Sequence, residues 1–287
     1  MIIVTSCNEH ATYMSFAGFV GRAYRKHGFD KLVLLFVTDM TGGETVDKLR
    51  SEFPGEVILV PRIPGVDSGI QAKCCRMWYC STLGSQLCMP VDIDTVPLNP
   101  SWLRACMVLC TTKDRIVATL GCDIYDGTPD QGKFPMPYCV GTGDAFKSVV
   151  NPRDLELSEL FLTHWPEVAS NPVDGKENVL GPYRSFSDES LLRLLIQTHS
   201  PGVLIPGPPP HLSRKVPGAP GDRLRELSPS ADPGQTDENG VAKRTSWRDF
   251  SQQSLDAGDY IDASMPRPLS EHRELLLPLA VSLGISL

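Results

Sequence analysis

The sequence predicts an α/β protein in which a mostly parallel sheet is flanked by helices and followed by an irregular C-terminal extension. Three observations predict it. Apolar runs at Ile2–Val4 and Leu32–Val37 suit strands buried on both faces. The segments between such runs repeat their apolar residues at helical spacing. After Ile205 the composition turns to Pro, Gly, Ser, Asp and Arg.

Met1–Ser6 reads as the first strand. Over Thr12–His27 the residues Met14, Phe16, Phe19, Val20 and Tyr24 mark one helix face, and Gly28 is its stop signal. Lys31–Thr38 is the second strand and ends at Asp39, which completes a βαβ unit. Glu44–Phe53 predicts a short amphipathic helix and Glu56–Val60 a third strand, followed by a loop at Pro61, Pro64 and Gly65. Gln71–Leu83 returns to helix. On it Lys73 and Arg76, three residues apart, face one ligand together, while Met77, Trp78 and Leu83 pack on the sheet.

Gln86–Val91 is a strand interrupted by Pro90, and Asp92-Ile93-Asp94 follows at its carboxyl end, the edge where open α/β sheets bind ligands. Arg115–Leu120 and Tyr138–Val140 are further strands, separated by a Gly-, Pro- and Asp-rich loop. Ser187–Thr198 is a helix with Ser187 as N-cap, and Val203–Ile205 a last core strand. The segment 206–246 reads as a loop, either a lid or disordered chain. Residues 247–287 read as a helical segment, its helix at Ser270–Leu283 interrupted by Pro278.

With 287 residues and 41% of them hydrophobic, the chain can bury a large core, placed here in 1–205. Its net charge of -7 argues against a broad grip on nucleic acid. No apolar run spans a membrane and Met1–Cys7 lacks the basic flank of a secretory signal, so a cytoplasmic protein is expected. Nine cysteines without a C-x-x-C spacing fit buried reduced thiols in such a compartment.

On a straight strand Asp92 and Asp94 point to opposite faces, so they share a ligand only where the chain bends, a bend assigned to Pro97 and Pro100. Hard cations such as Mn²⁺ and Mg²⁺ bind through one or two carboxylates plus phosphate oxygens, which suits this pair. The phrase Val91-Asp92-Ile93-Asp94-Thr95-Val96-Pro97-Leu98-Asn99, behind an apolar strand and a helix bearing Lys73 and Arg76, resembles the GT-A fold glycosyltransferases. That resemblance extends with falling specificity over roughly 1–211.

The resemblance implies a Rossmann-like nucleotide-sugar domain and a metal-dependent transferase. Its donor is a nucleoside-diphosphate sugar, and its acceptor is the hydroxyl of a glycan or another molecule. Asp92 and Asp94, joined by His211 with His272 as rival, are implied to hold Mn²⁺ or Mg²⁺. Thr5, Ser6, Asp39, Lys73, Arg76, Asp92 and the turn Gly141-Thr142-Gly143 are implied to contact the donor. In Ser187-Asp188-Glu189 the acids Asp188 and Glu189 are implied as catalytic base. Each feature has a structural counterpart: the glycines permit a tight turn, the acids cap a helix, and the histidine is exposed surface. A non-catalytic nucleotide-sugar-binding module is the alternative. A sugar-1-phosphate nucleotidyltransferase fits less well, because Ser6-Cys7-Asn8-Glu9-His10 lacks that family's Gly- and Arg-containing loop.

Overall fold

The computed structural model describes residues 1–98, 104, 107, 115–118, 139–170, 188–199, 204–206, 222–225, 245–246, 260–264 and 273–285. The first apolar run forms β1 (Ile2–Asn8), which continues two residues beyond the predicted end because Cys7 and Asn8 still pair with Phe36 and Val37 of β2 (Lys31–Val37). Between them lies α1 (Ala11–Lys26). The chain proceeds through α2 (Glu44–Glu52), β3 (Glu56–Val60), α3 (Ser68–Ser81) and β4 (Leu87–Pro90). Helix α3 begins a turn earlier than the periodicity suggests. The Asp67 carboxylate accepts the amides of Gly69 and Ile70 at 2.9 and 3.0 Å, and this cap offsets the poor helix propensity of Gly69.

After β5 (Thr95–Pro97) and β6 (Ile116–Ala118) come β7 (Cys139–Thr142) and α4 (Gly143–Val150). A continuous helical stretch follows, made of α5 (Leu157–Glu159), a π-helical turn (Leu160–His164) and α6 (Trp165–Ser170). Then come α7 (Asp188–His199), β8 (Leu204–Pro206), β9 (Asp222–Arg225), β10 (Thr245–Ser246), β11 (Tyr260–Ser264) and α8 (Arg273–Leu283).

The main sheet has seven strands in the order β3-β2-β1-β4-β7-β6-β8. It is mostly parallel, as the apolar runs predict, with β7 antiparallel to both of its neighbours. Successive residues of the central strands serve opposite layers. Ile3, Leu34 and Phe36 pack with Phe16, Phe19 and Val20 of α1 and Leu276 and Leu279 of α8. Val4, Val33 and Leu35 pack with Met77 of α3, Phe146 of α4 and Leu191 and Leu195 of α7.

Helix α8 runs through Pro278 instead of stopping there. Pro278 costs the bond to the Glu274 carbonyl, and burial of Leu276, Leu279 and Leu283 on the sheet offsets that loss. A second sheet, β10-β9-β11-β5, draws strands from all three segments of the sequence, including 206–246, whose composition gives no sign of them. These strands run two to five residues, too short for an alternating pattern to register. Among the described residues no helix is long and apolar enough to cross a membrane. The six described cysteines are buried and form no disulfide, and burial raises the Cys7 and Cys75 thiols to about 12, far from a nucleophilic thiolate at neutral pH.

Candidate functional site

From β1 the chain moves through β2 to β3 on one side, and α3 then carries it back to β4 on the other. The loops leaving β1 and β4 therefore diverge, and between the carboxyl ends of these strands opens the crevice in which doubly wound sheets bind ligands. Asn8 and Glu9 stand on one lip, and Asp92 and Asp94 on the other.

Strand pairing holds up to the acidic pair, since the Val91 amide donates to the Val4 carbonyl at 2.8 Å. The chain then turns, closed by the Thr95 amide on the Asp92 carbonyl at 3.2 Å with Ile93 buried inside. The bend is this turn, which closes before Pro97 is reached. Pro97 lies in β5 opposite Asp262, and Pro100 lies outside the described residues. Asp92 and Asp94 thus flank one turn, anchored upstream by β4 and downstream by β5.

Beneath Asp92 lies Arg76. A helical side chain leans toward its helix N-terminus, and Arg76 follows that rule: Nε donates to the Lys73 carbonyl at 3.0 Å, and the guanidinium emerges under the turn. Its Nη2 contacts Asp92 Oδ1 at 2.6 Å and also Asp188 Oδ2, at the first residue of α7. Arg76 is 2% exposed and Asp188 4%, whereas the Asp92 side chain remains 38% exposed. Burial alone opposes the arginine charge, but Asp188 and then Asp92 hold it and raise its pKa above the ordinary value. Removing one member of such a buried group costs about 3–5 kcal/mol, mostly because a charge is left uncompensated.

This arrangement corrects two expectations. Arg76 is not paired with Lys73 on an open helix face: Lys73 is exposed, while Arg76 is buried and engaged by carboxylates. Asp188 is tied to Arg76 and shielded from solvent, so it is poorly placed to take a proton from an acceptor, and its neighbour Glu189 is the more accessible acid.

On the other lip, Thr5 and Ser6 lie inside β1 and are buried, the Ser6 hydroxyl donating to the Ala72 carbonyl. The rim itself is formed by residues the sequence reading did not select. Asn8 Nδ2 donates to Ser68 Oγ at 3.1 Å. Glu9 accepts the Thr38 hydroxyl at 2.5 Å and pairs with Arg62 at 2.5 Å, and Arg62 Nε lies 3.8 Å from Asp39. Asp39 itself is exposed at the end of β2, on the expected edge. The polar run Asn8-Glu9-His10, directly after the apolar strand, was the signal for this lip.

Gly141-Thr142-Gly143 is in a different place. Because β7 is antiparallel to β4, Thr142 pairs with Leu87 and Gly141 with Cys88, at the amino end of β4. Leu87 lies five residues, roughly 16 Å of extended chain, before Asp92. The turn is also closed to a ligand. Gly143 donates to the Gln86 carbonyl at 3.0 Å, and a Cβ on Gly143 would stand 2.5 Å from the Gly84 nitrogen. Thr142 accepts the Ala145 amide at 3.2 Å and so caps α4. The glycines serve backbone packing.

His211, His272 and Ser187 lie outside the described residues. Among the described residues no three His, Cys, Asp or Glu side chains gather closely enough to form a metal cage. Carboxylate oxygens such as those of Asp92 and Asp94 are the donors a hard cation takes beside phosphate and water, and Asp92 Oδ1 is engaged by Arg76.

No protein-family model matches the chain, and no curated protein matches it in sequence. Among solved structures it is similar to the galactosyltransferase LgtC in complex with donor and acceptor sugar analogues. Identity is 11% and the TM-score 0.49, over 100% of this chain and 98% of that one. An active-site mutant of LgtC gives 10% identity and a TM-score of 0.47, covering 96% of this chain and 95% of that one. The glycosyltransferase GlyE of Streptococcus pneumoniae TIGR4 gives 11% and 0.43, over 71% of this chain and 44% of that one. With TM-scores below 0.5, these likenesses fix neither residues nor chemistry for this chain.

Proposed function

We propose that the chain is a metal-dependent glycosyltransferase that binds a nucleoside-diphosphate sugar in the crevice between β1 and β4. One observation carries this reading. The acidic turn Asp92-Ile93-Asp94 stands at the switch point of the sheet, with Asp92 oriented from below by a buried arginine. The resemblance of the phrase around it to GT-A enzymes supplies the reaction class.

In this reading Asp92 and Asp94 hold Mn²⁺ or Mg²⁺, whose charge stabilises a leaving nucleoside diphosphate. Arg76 keeps Asp92 in one orientation, and Asp188 keeps Arg76 charged and in place. Asn8, held by Ser68, faces the nucleoside together with Glu9, held by Thr38 and Arg62, and Asp39, held by Arg62. Glu189 takes the proton of the acceptor hydroxyl, and His211 completes the cation's ligands. Asp94→Ala tests the assignment through hydrolysis of nucleotide-sugars with Mn²⁺. Wild type turns over and the variant does not, and equal turnover in both would overturn it.

The bond from Arg76 to Asp92 also supports a second reading, binding without transfer, because that carboxylate is already partly neutralised. The same assay separates the two: a binding module shows Mn²⁺-dependent affinity with no hydrolysis above background.

A further inference from the structure

Away from the crevice, the π-helical turn Leu160–His164 is followed by Pro166, which has no amide to donate and would collide with a carbonyl in a regular α-turn. The wider turn accommodates it and directs His164 inward. His164 is 1% exposed, and its ring stacks on His199, the last residue of α7, with centroids 5.1 Å apart and planes at 27°. Among the described residues neither nitrogen of His164 nor Nε2 of His199 has a hydrogen-bond partner. Buried polar groups are nearly always paired, so three orphaned ring nitrogens in one contact call for an explanation.

Helix α7 connects this stack to the crevice, with His199 at one end and Asp188, the anchor of Arg76, at the other. We propose that the His164–His199 stack is an acid-sensitive latch: neutral rings hold α7 against the π turn, and a proton on either ring opens that packing and loosens Asp188 from Arg76. The inference stands on the fold and does not depend on the chemistry of the crevice. A proton on His164, 1% exposed and without a hydrogen-bond partner among the described residues, is poorly solvated, and the stacked ring beside it adds no acceptor.

The charged groups acting on the pair are Arg153, after α4, which opposes the proton, and Glu167 on α6, which favours it. These two bond each other at 3.3 Å. Among the described residues α3 and α4, also packed on α7, direct no charge at either ring. Burial, then the neighbouring ring and Arg153, lower the proton affinity of His164, and burial, then Arg153, lowers that of His199. Histidines with lowered native pKa values contribute stability that is present above the unfolded value and lost as pH falls from there through the lower native value.

Melting of the full chain at pH 7.5 and 5.5, for wild type and His164→Phe, together with an NMR titration of the wild-type imidazoles, tests the latch. Wild type should lose about 3–6 °C more on acidification than the variant. Amides of 188–199, corrected for intrinsic rates, should lose protection at pH 5.5 in wild type alone. An equal melting shift in both proteins, or a His164 ring titrating at or above the ordinary histidine value, would overturn the proposal. If the variant fails to fold, the ring titration of wild type decides the matter.

Discussion

The two ends of β4 meet the rest of the molecule in opposite ways. At the amino end, Gly141 packs against the Arg115 carbonyl and the Ile116 side chain and Gly143 against the Gly84 backbone, and the amides of Gly143 and Asp144 are spent on internal carbonyls. At the carboxyl end, the chain leaves a parallel strand into a turn bearing two acids, one of them still partly exposed above a buried arginine. One end is saturated and closed, and the other keeps carboxylate oxygen available to a ligand. The difference teaches that strand direction decides where a motif arrives. A parallel β7 would have delivered its glycines to the crevice, and the antiparallel one delivers them to the opposite edge.

The largest effect that could break this contrast is expected at Arg76. Arg76→Met leaves Asp188 buried without its counter-charge, and denaturant unfolding should show a loss of about 3–5 kcal/mol with any turnover abolished. A loss within 0.5 kcal/mol, the range of ordinary surface changes, would mean the buried group is not formed. Next comes Asp94→Ala, which should lower Mn²⁺-dependent turnover by about 10²-fold or more. Melting of that variant, recorded alongside, separates lost turnover from a lost fold.

At the closed end the sign reverses, with stability affected and chemistry spared. Gly143→Ala forces a Cβ onto the Gly84 backbone and should cost about 1–3 kcal/mol. Thr142→Ala removes the cap of α4 and should cost about 1 kcal/mol. Both variants should keep wild-type KM for a nucleotide-sugar, and a large rise in KM would place the glycines in the site after all.

Much of the first half of the fold was legible because its signals are local. The 3.6-residue spacing of Phe16, Phe19, Val20 and Tyr24 gives α1 to within a residue or so at each end. The apolar runs give β2 and β3 almost to the residue, with β2 ending one residue short of Thr38. The position of Asp92 and Asp94 just past the carboxyl end of a strand was legible from the apolar run before them. What was hidden depends on distant partners. Nothing near Arg76 in sequence reveals that Asp188, 112 residues away, neutralises it. Helix α4 opens on Gly143, a poor helix former that only the approach of Gly84 explains. The rim at Asn8, Glu9 and Arg62 was missed because β1 runs two residues beyond its apolar core.

The central claim is tested most directly by isothermal titration calorimetry of UDP, GDP and dTDP into wild type and Asp94→Ala, each with and without Mn²⁺. The account predicts saturable binding of at least one of them that requires Mn²⁺ and disappears in Asp94→Ala, with the variant folded. Binding that is the same in both proteins, or no binding of any of the three to wild type with Mn²⁺, would contradict it.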